Sequence, residues 1–239
     1  MPYAIFDGVF ETFTEAGGDF GFFSEDFYIE RQKAKFASGA RSRLSYLAPD
    51  FIATAYLDRE KLSVLDFGGG IGFGFRDAVT GLSSCAGLTY HIFDNPAVCA
   101  LGRTLFTDPA PEFLEDLAAL APTYDIIHLG SVIQYVEDMD GFLRLLAGFK
   151  ATFILVSDAM VGTERSFVTR ASYFGHVHPH RFFRLDDLTS RFAEQGYGLV
   201  QNQPYLSTIQ GQVGFYDMSN LPPECRVACT ANLVFKKKT

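Results

Sequence analysis

The feature that most constrains the fold is a short apolar strand that runs directly into glycines, at residues 64–72 (VLDFGGGIG). Glycine is needed where the backbone takes a positive φ, or where it must lie against a ligand with no Cβ in between. In an open parallel sheet such a turn lies at the carboxyl ends of the strands, where ligands bind. The sequence therefore predicts a strand, a glycine loop and a ligand site at the edge of a sheet.

After this loop, short apolar strands alternate with helices, which is typical of a parallel sheet. The predicted strands cover residues 62–67, 89–94, 113–114, 124–129, 151–157, 198–205 and 227–235. The predicted helices cover residues 24–37, 40–56, 139–149 and 185–195, and a further helix begins at Pro96. The last two strands are joined by a loop with no full crossover helix, which suits antiparallel neighbours.

This order predicts a doubly wound (Rossmann-like) α/β fold. Its sheet is expected to have seven strands, mostly parallel with an antiparallel last strand, preceded by an N-terminal helical segment. We assign that segment, a helical lid, to residues 1–60 and the ligand-binding domain to residues 61–239.

Charge and composition narrow the classes of partner. The net charge of −8 disfavours a nucleic-acid partner, which calls for a basic face. No run reaches the roughly 18 apolar residues needed to span a bilayer, and the N-terminus lacks the basic and apolar regions of a signal peptide. The four cysteines form no zinc or thioredoxin-like motif. We expect a cytoplasmic protein with no membrane partner, and leave a homodimer open.

The spacing of the glycines bears on which ligand the loop holds. A dinucleotide loop follows G-x-G-x-x-G, but here the third position is Phe73 or Phe75, depending on the register. Asp94 ends the next strand, 22 residues after Gly72. A carboxylate there can accept both hydroxyls of a ribose, although it could instead cap the helix that begins near Pro96.

Four stretches carry a resemblance to a known family: residues 64–72, 93–94, 131–138 (SVIQYVED) and 235–238. The chain resembles class I S-adenosylmethionine (SAM)-dependent methyltransferases. Within them it resembles bacterial methyltransferases of undetermined acceptor, often found near genes for surface-polysaccharide or secondary-metabolite assembly. The resemblance covers roughly residues 10–238, most strongly residues 62–160.

The resemblance implies SAM as the cofactor. The residues expected to bind it are Asp66, Gly68, Gly69, Gly70, Gly72, Asp94, Asn95, Asp116, Ser131 and Gln134. Asp116, or its neighbour Glu115, would meet the adenine edge, and surface solvation explains both equally well. Ser131 and Gln134 would lie beside the methionine part of the cofactor or beside the substrate, with Tyr135 near the pocket floor. Helix capping by Ser131 and simple burial of Tyr135 remain alternatives.

Three alternating histidines, His176, His178 and His180, depart from the aromatic residues of the family in this segment. In an extended segment they would point to one side. They could act as general base or substrate contact, serve a structural role, or bind a metal, although Pro179 restricts the backbone for converging ligands. We expect a catalytic role, first for His178 and then for His176 and His180, and no metal.

The acceptor is expected to be a small molecule, such as a sugar or a secondary-metabolite precursor, methylated on oxygen or nitrogen. Tyr28, Arg31 and Lys35 share one helical face that either faces the pocket or is solvated. The predicted substrate contacts are Tyr28, Arg31, Tyr135, Tyr173, Phe215 and Tyr216. The alternatives are a non-catalytic binding module of the same fold and, less favoured by the glycine spacing, an NAD-dependent oxidoreductase.

Overall fold

The computed structural model describes residues 5–39, 47–173, 175–209, 212–214 and 216–238. The strands are β1 (Phe6–Phe10), β2 (Leu62–Phe67), β3 (Leu88–Phe93), β4 (Glu112–Leu114), β5 (Ile126–Gly130), β6 (Phe153–Ala159), β7 (Phe167–Tyr173), β8 (His176–Phe182), β9 (Tyr197–Tyr205), β10 (Ser207–Ile209), β11 (Gln212–Gly214) and β12 (Thr230–Lys237). The α-helices are α1 (Phe13–Ala16), α2 (Asp26–Ala37), α3 (Leu47–Leu57), α4 (Phe73–Val79), α5 (Pro96–Leu105), α6 (Met139–Gly148) and α7 (Leu185–Glu194). Among the short 3-10 helices, those at Gly21–Ser24 and Ile133–Tyr135 matter for the site.

The main sheet has seven strands in the order β4-β3-β2-β5-β6-β12-β9. The first five strands in this order are parallel, and β12 runs antiparallel to both β6 and β9. The strand order reverses direction between β2 and β5, the place where open α/β sheets bind ligands. The predicted doubly wound fold with an antiparallel last strand is confirmed.

The local sequence explains why the central strands and their helices form. Four of the five residues of β5 are buried, as expected for a strand covered on both faces. Helix α5 begins where the predicted signal lies, because the Asn95 side chain accepts a hydrogen bond from the Val98 N–H and Pro96 occupies the first turn. Two apolar clusters, one around Ile127 and Leu143 and the other around Val64 and Tyr90, fill the two faces of the sheet.

A second sheet, which the sequence did not predict, stands beside the main one. It is antiparallel in the order β1-β7-β8, with β7 and β8 forming a hairpin. A third apolar cluster, including Phe6, Met160 and Phe182, joins this sheet to the residues that follow β6. Strand β8 also packs against the 3-10 helix Ile133–Tyr135 that follows β5. The second sheet therefore lies above the carboxyl ends of β5 and β6.

The N-terminal segment is less regular than predicted. It contains the strand β1, which pairs with β7 from the later part of the chain, as well as α1, α2 and α3. Residues 40–46 of the predicted helix 40–56 lie outside the described residues. The division at residue 60 remains a prediction. Within the described ranges, no helix is both long and apolar enough to cross a membrane.

Candidate active site

The glycine loop has the shape of a cradle at the end of β2. Gly68, Gly70 and Gly72 all have positive φ, at 69°, 60° and 96°. The Gly68 N–H donates to the Phe93 carbonyl at 2.7 Å, which ties the loop to the neighbouring strand. A Cβ placed on Gly70 would meet no atom of the described residues within 4 Å. Gly70 therefore marks the open side of the loop.

Asp66 supports the same loop from beneath. Its side chain is 1% exposed and accepts hydrogen bonds from the Tyr90 hydroxyl at 2.9 Å and from His128 Nδ1 at 2.8 Å. A Cβ on Gly69 would come within 2.6 Å of the Asp66 carboxyl carbon, so only glycine fits there without a shift. The carboxylate of Asp66 thus faces the protein interior, away from the open side of the loop.

His128 extends this buried network, which spans the four strands β3, β2, β5 and β6. With Nδ1 donating to Asp66, the other ring nitrogen of a neutral imidazole is an acceptor, and it lies 3.2 Å from the Ser157 hydroxyl. These contacts make His128 a core histidine with a partner on each ring nitrogen. The network Tyr90-Asp66-His128-Ser157 fixes the relative positions of the ends of β2, β5 and β6.

Asp94 lies at the open side of the loop. Its carboxylate accepts from the Gly70 N–H at 2.9 Å and from the Asn95 N–H at 2.7 Å. Burial raises the pKa of Asp94 above its usual range, against the lowering effect of these two backbone donors. At the end of the next strand, the exposed Asp116 carboxylate accepts from the Ala118 N–H at 2.9 Å.

A polar cluster lies at the ends of β5 and β6. The sequence predicted two of its members, Ser131 and Gln134, as site residues but not the other two, Asp158 and Thr230. The Ser131 hydroxyl donates to Asp158 Oδ2 at 2.6 Å, and the Thr230 hydroxyl donates to Asp158 Oδ1 at 2.7 Å. Gln134 Nε2 lies 3.4 Å from the Asp158 carbonyl. Ser131 and Asp158 both have left-handed backbones, with φ of 59° and 61°. Such strain in non-glycine residues concentrates at functional sites.

Next to this cluster, aromatic and imidazole rings gather around Tyr135. The Tyr135 ring lies 5.6 Å from that of His178 and 5.2 Å from that of His180, between centroids. The rings of Phe20 and Phe23 stand nearly perpendicular to Tyr135, at 5.9 Å and 5.6 Å. The N-terminal 3-10 helix and β8 thus supply a wall that faces the loop after β5. We call this the aromatic compartment.

Two histidines of the compartment are buried without hydrogen-bond partners. Among the described residues, His178 Nδ1 and both ring nitrogens of His180 have none, although their side chains are only 3% and 4% exposed. Burial lowers the pKa of His178 from 6.5 to about 4 and, with the nearby His178, that of His180 to about 3. Both imidazoles are therefore neutral near pH 7.

Tyr135 lies between the polar cluster around Asp158 and the rings of the aromatic compartment. Burial raises its pKa well above 10, and the negative charge of Asp158 raises the pKa further. Three predicted substrate contacts lie against neighbouring rings: Tyr28 is 5.3 Å from Phe23, Tyr173 is 6.3 Å from Phe22, and Tyr216 is 5.5 Å from Phe6, between centroids. Arg31 is exposed on α2, and Phe215 lies outside the described residues.

His176 differs from its two neighbours on β8. It is partly exposed, its Nε2 lies 3.6 Å from the Glu25 carboxylate, and its ring stacks on Phe27 at 5.2 Å. No group of three or more His, Cys, Asp or Glu side chains within the described part of the chain is placed to hold a metal ion.

Helix α2 passes over the site from the aromatic compartment to α4. At its far end, the Phe36 ring lies 5.4 Å from Phe73 and 5.3 Å from Phe106. The Arg76 guanidinium stacks on Phe36 at 4.9 Å. No residue of α2 is fully buried, so the helix covers the site without belonging to the core.

The comparisons with known proteins agree with this architecture. A family model described as "Methyltransferase domain" matches residues 36–202. No curated protein sequence matches the chain.

Three solved structures are similar in fold. The 1,6-didemethyltoxoflavin-N1-methyltransferase of Burkholderia thailandensis, with bound 1,6-didemethyltoxoflavin and S-adenosylhomocysteine, has a TM-score of 0.55 and 11% identity over 90% of this chain and 87% of that chain. The magnesium protoporphyrin IX methyltransferase of Synechocystis PCC 6803, with bound SAM, has a TM-score of 0.56 and 12% identity over 91% of this chain and 94% of that chain. An S-adenosylmethionine-dependent methyltransferase of Clostridium acetobutylicum has a TM-score of 0.54 and 9% identity over 90% of this chain and 99% of that chain.

A seven-stranded sheet with a glycine loop at its switch point defines a Rossmann-like nucleoside-binding protein. The family match makes this more specific: the chain belongs to the methyltransferase-domain family, and its cofactor is SAM. The residues present fit that cofactor, because the open face of Gly70 lies next to the Asp94 carboxylate, an acceptor suited to the hydroxyls of a ribose.

Proposed function

We propose that the protein transfers a methyl group from SAM to an oxygen or nitrogen of a small molecule held in the aromatic compartment. The observation that carries the proposal is the pair of buried imidazoles, His178 and His180, which present unpartnered nitrogens in an apolar wall above the cofactor edge. Buried polar groups without partners are rare, and each calls for an explanation. A bound acceptor that hydrogen-bonds to them is such an explanation.

The cofactor-binding half is proposed to use the residues that border the glycine loop. Asp94 would receive the ribose hydroxyls, while Asn95 keeps the Asp94 carboxylate in place through its backbone N–H. Gly68, Gly70 and Gly72 give the loop its shape, and Gly69 allows the close approach of Asp66. Ser131 and Gln134 would face the methionine part, and Asp116 the adenine edge.

The protein has little covalent chemistry to perform. SAM supplies a methyl group on a sulfonium, which is already activated for displacement by a nucleophile. The residues of this chain must hold the acceptor in line and exclude water. The aromatic rings suit both tasks, and α2 would act as the lid of the N-terminal segment.

His178 is proposed as the proton acceptor. Burial lowers its pKa to about 4, so the imidazole is neutral near pH 7 and would take the proton of the acceptor only in passing it on to solvent. His180, behind it, would orient the acceptor, and His176 at the exposed end would line the entrance. Tyr28, Tyr135, Tyr173 and Tyr216 are proposed to contact the acceptor.

Two of the similar structures are of enzymes named for small ring molecules. The Burkholderia enzyme contains 1,6-didemethyltoxoflavin and the Synechocystis enzyme is named for magnesium protoporphyrin IX, both ring molecules rather than macromolecules. At 11% and 12% identity these likenesses concern the fold, so the small-molecule acceptor rests on the shape and chemistry of the compartment.

Calorimetry tests the cofactor assignment. SAM and S-adenosylhomocysteine should bind with micromolar affinity and NADH should not; tight binding of NADH alone would refute the proposal. Asp94→Asn should weaken S-adenosylhomocysteine binding by about 2 kcal/mol, the scale of a hydrogen bond to a charged group. Asp58→Asn, which removes an exposed carboxylate on the turn after α3, is the control and should bind normally.

Turnover separates the enzyme from a non-catalytic binding module. His178→Ala should lower the rate of methyl transfer to an acceptor by about 100-fold, the typical contribution of a positioned base. A protein that binds S-adenosylhomocysteine but never consumes SAM with any small molecule would be the binding module.

A further inference from the structure

The carboxylate of Asp158 lies within the site and has no role in the proposed function. It lies at the carboxyl end of β6, next to the loop that carries Ser131, Gln134 and Tyr135. The Ser131 and Thr230 hydroxyls each donate to one of its oxygens, which fixes the orientation of the carboxylate. Each oxygen retains a further lone pair for a ligand.

No cationic side chain of the described residues forms a salt bridge with this carboxylate, although Asp158 is partly buried. Buried carboxylates are normally paired. The hydroxyl donors orient Asp158 without supplying a positive charge, so the site favours a cation from outside the chain.

A second, independent observation points to a ligand at the same place. Gln134 is 2% exposed, and its Oε1 has no hydrogen-bond partner among the described residues. Its Nε2 lies 3.4 Å from the Asp158 carbonyl, which keeps the side chain beside Asp158. An amide oxygen accepts hydrogen bonds, so it complements a ligand that donates them.

The loop that carries Gln134 continues into the aromatic rings around Tyr135. Tyr135 follows Gln134 in the chain, and Phe20 and Phe23 meet its ring at angles of 73° and 69°. Aromatic faces attract organic cations, and rings at steep angles to one another can enclose an ammonium group. The imidazoles of the compartment are neutral near pH 7 and would not repel it.

We propose that the acceptor is an amine, recognised in its ammonium form by Asp158, Gln134 and the rings around Tyr135, so that the chain is an N-methyltransferase. This inference rests on the proposed function. The bound ammonium loses one proton to solvent by way of the neutral His178 imidazole, and the nitrogen lone pair then forms the new bond to the methyl carbon. The electron pair of the broken carbon–sulfur bond stays on sulfur, and the product is a methylated ammonium.

The test compares amines with their uncharged alcohol analogues. Protein-detected NMR with the S-adenosylhomocysteine-loaded protein would measure the affinity of two pairs: tyramine with tyrosol, and phenethylamine with 2-phenylethanol. The amine of at least one pair should bind at least about tenfold more tightly than its alcohol. An alcohol that binds as tightly as its amine in both pairs, or no binding of either amine at about 10 mM, overturns the proposal.

Asp158→Asn is the matched variant. Asparagine tolerates the left-handed backbone of this position and keeps an acceptor for the Ser131 hydroxyl. It should reduce amine affinity to that of the alcohol, while Asp58→Asn leaves the preference intact. An unchanged preference in Asp158→Asn would contradict the proposal.

Calorimetry on Asp158→Asn distinguishes the acceptor from the cofactor, which also carries an ammonium group. Affinity for S-adenosylhomocysteine should stay within about twofold of wild type, a difference of about 0.4 kcal/mol. A large loss would mean that the carboxylate serves the cofactor, and the proposal would fail while the proposed function stands. Failure of the wild-type protein to bind S-adenosylhomocysteine would instead refute the proposed function.

Discussion

Two buried histidines, one in each half of the site, have opposite surroundings. His128, under the glycine loop, is bonded to Asp66 through one ring nitrogen and to Ser157 through the other. His180, in the aromatic compartment, is almost as deeply buried but has no hydrogen-bond partner for either ring nitrogen among the described residues. The network under the glycine loop is therefore complete, whereas the aromatic compartment contains buried ring nitrogens without partners among the described residues.

We infer from this contrast that the residues under the glycine loop serve stability, whereas the buried histidines of the aromatic compartment serve binding. A satisfied network such as Tyr90-Asp66-His128-Ser157 stabilises one arrangement of the strand ends. Unpartnered imidazoles destabilise the folded state, and we attribute their presence to binding.

The largest expected effect on the free energy of unfolding comes from replacing one of the two histidines, His128, by phenylalanine, with His180→Phe as the comparison. His128→Phe should lower the free energy of unfolding by about 3 kcal/mol, because Asp66 loses a donor in a buried site. His180→Phe should change it by less than about 1 kcal/mol, or raise it, because no hydrogen bond is lost. Urea unfolding at pH 7 measures both. Equal losses in the two variants would contradict the comparison.

Two adjacent glycines provide the next test, within the cofactor half. Gly69→Ala should destabilise the protein by about 2 kcal/mol, because the new Cβ would collide with the Asp66 carboxyl group. Gly70→Ala should cost about 1 kcal/mol of backbone strain and weaken S-adenosylhomocysteine binding more than tenfold, because its Cβ would fill the open side of the loop.

Thermal unfolding and calorimetry on the two glycine variants separate these effects. Normal cofactor affinity in Gly70→Ala would show that the ligand does not lie against that face.

The smallest effect is a pH dependence that comes from the aromatic compartment. The folded-state pKa values of His178 and His180, about 4 and about 3, lie below the unfolded value of 6.5. Between these values the unfolded chain binds more protons, so stability is full above pH 6.5 and falls as the pH drops toward 4. Each histidine should remove about 1 kcal/mol between pH 7 and pH 5.5.

The control for this dependence is the double variant His178→Phe, His180→Phe. Its free energy of unfolding, measured in urea at pH 7 and pH 5.5, should fall by about 2 kcal/mol less than that of the wild type. Parallel curves for the two proteins would show that these imidazoles are not held neutral by burial.

The sequence predicted the main sheet and its loop because their signals are local. The strand that runs into glycines at Gly68, the acid Asp94 at the end of the next strand and the N-terminal signal at Pro96 all lie within a few residues of the elements they define. The absence of a crossover helix before β12 predicted its antiparallel direction.

The aromatic compartment could not be assembled in the same way. Strand β1 pairs with β7 across more than 150 residues, and nothing near Phe6 indicates that partner. Alternation of His176, His178 and His180 predicted a shared face, but not which rings would bury it. Asp158 gave no signal, because its distinguishing features are a left-handed backbone and donors from distant Ser131 and Thr230.

The most direct test of the central claim is a crystal structure with S-adenosylhomocysteine bound. The ribose hydroxyls should lie within about 3 Å of the Asp94 carboxylate, and the sulfur should face the aromatic compartment between Tyr135 and Asp158. A ribose away from Asp94, or a sulfur that faces away from Tyr135, would contradict the account.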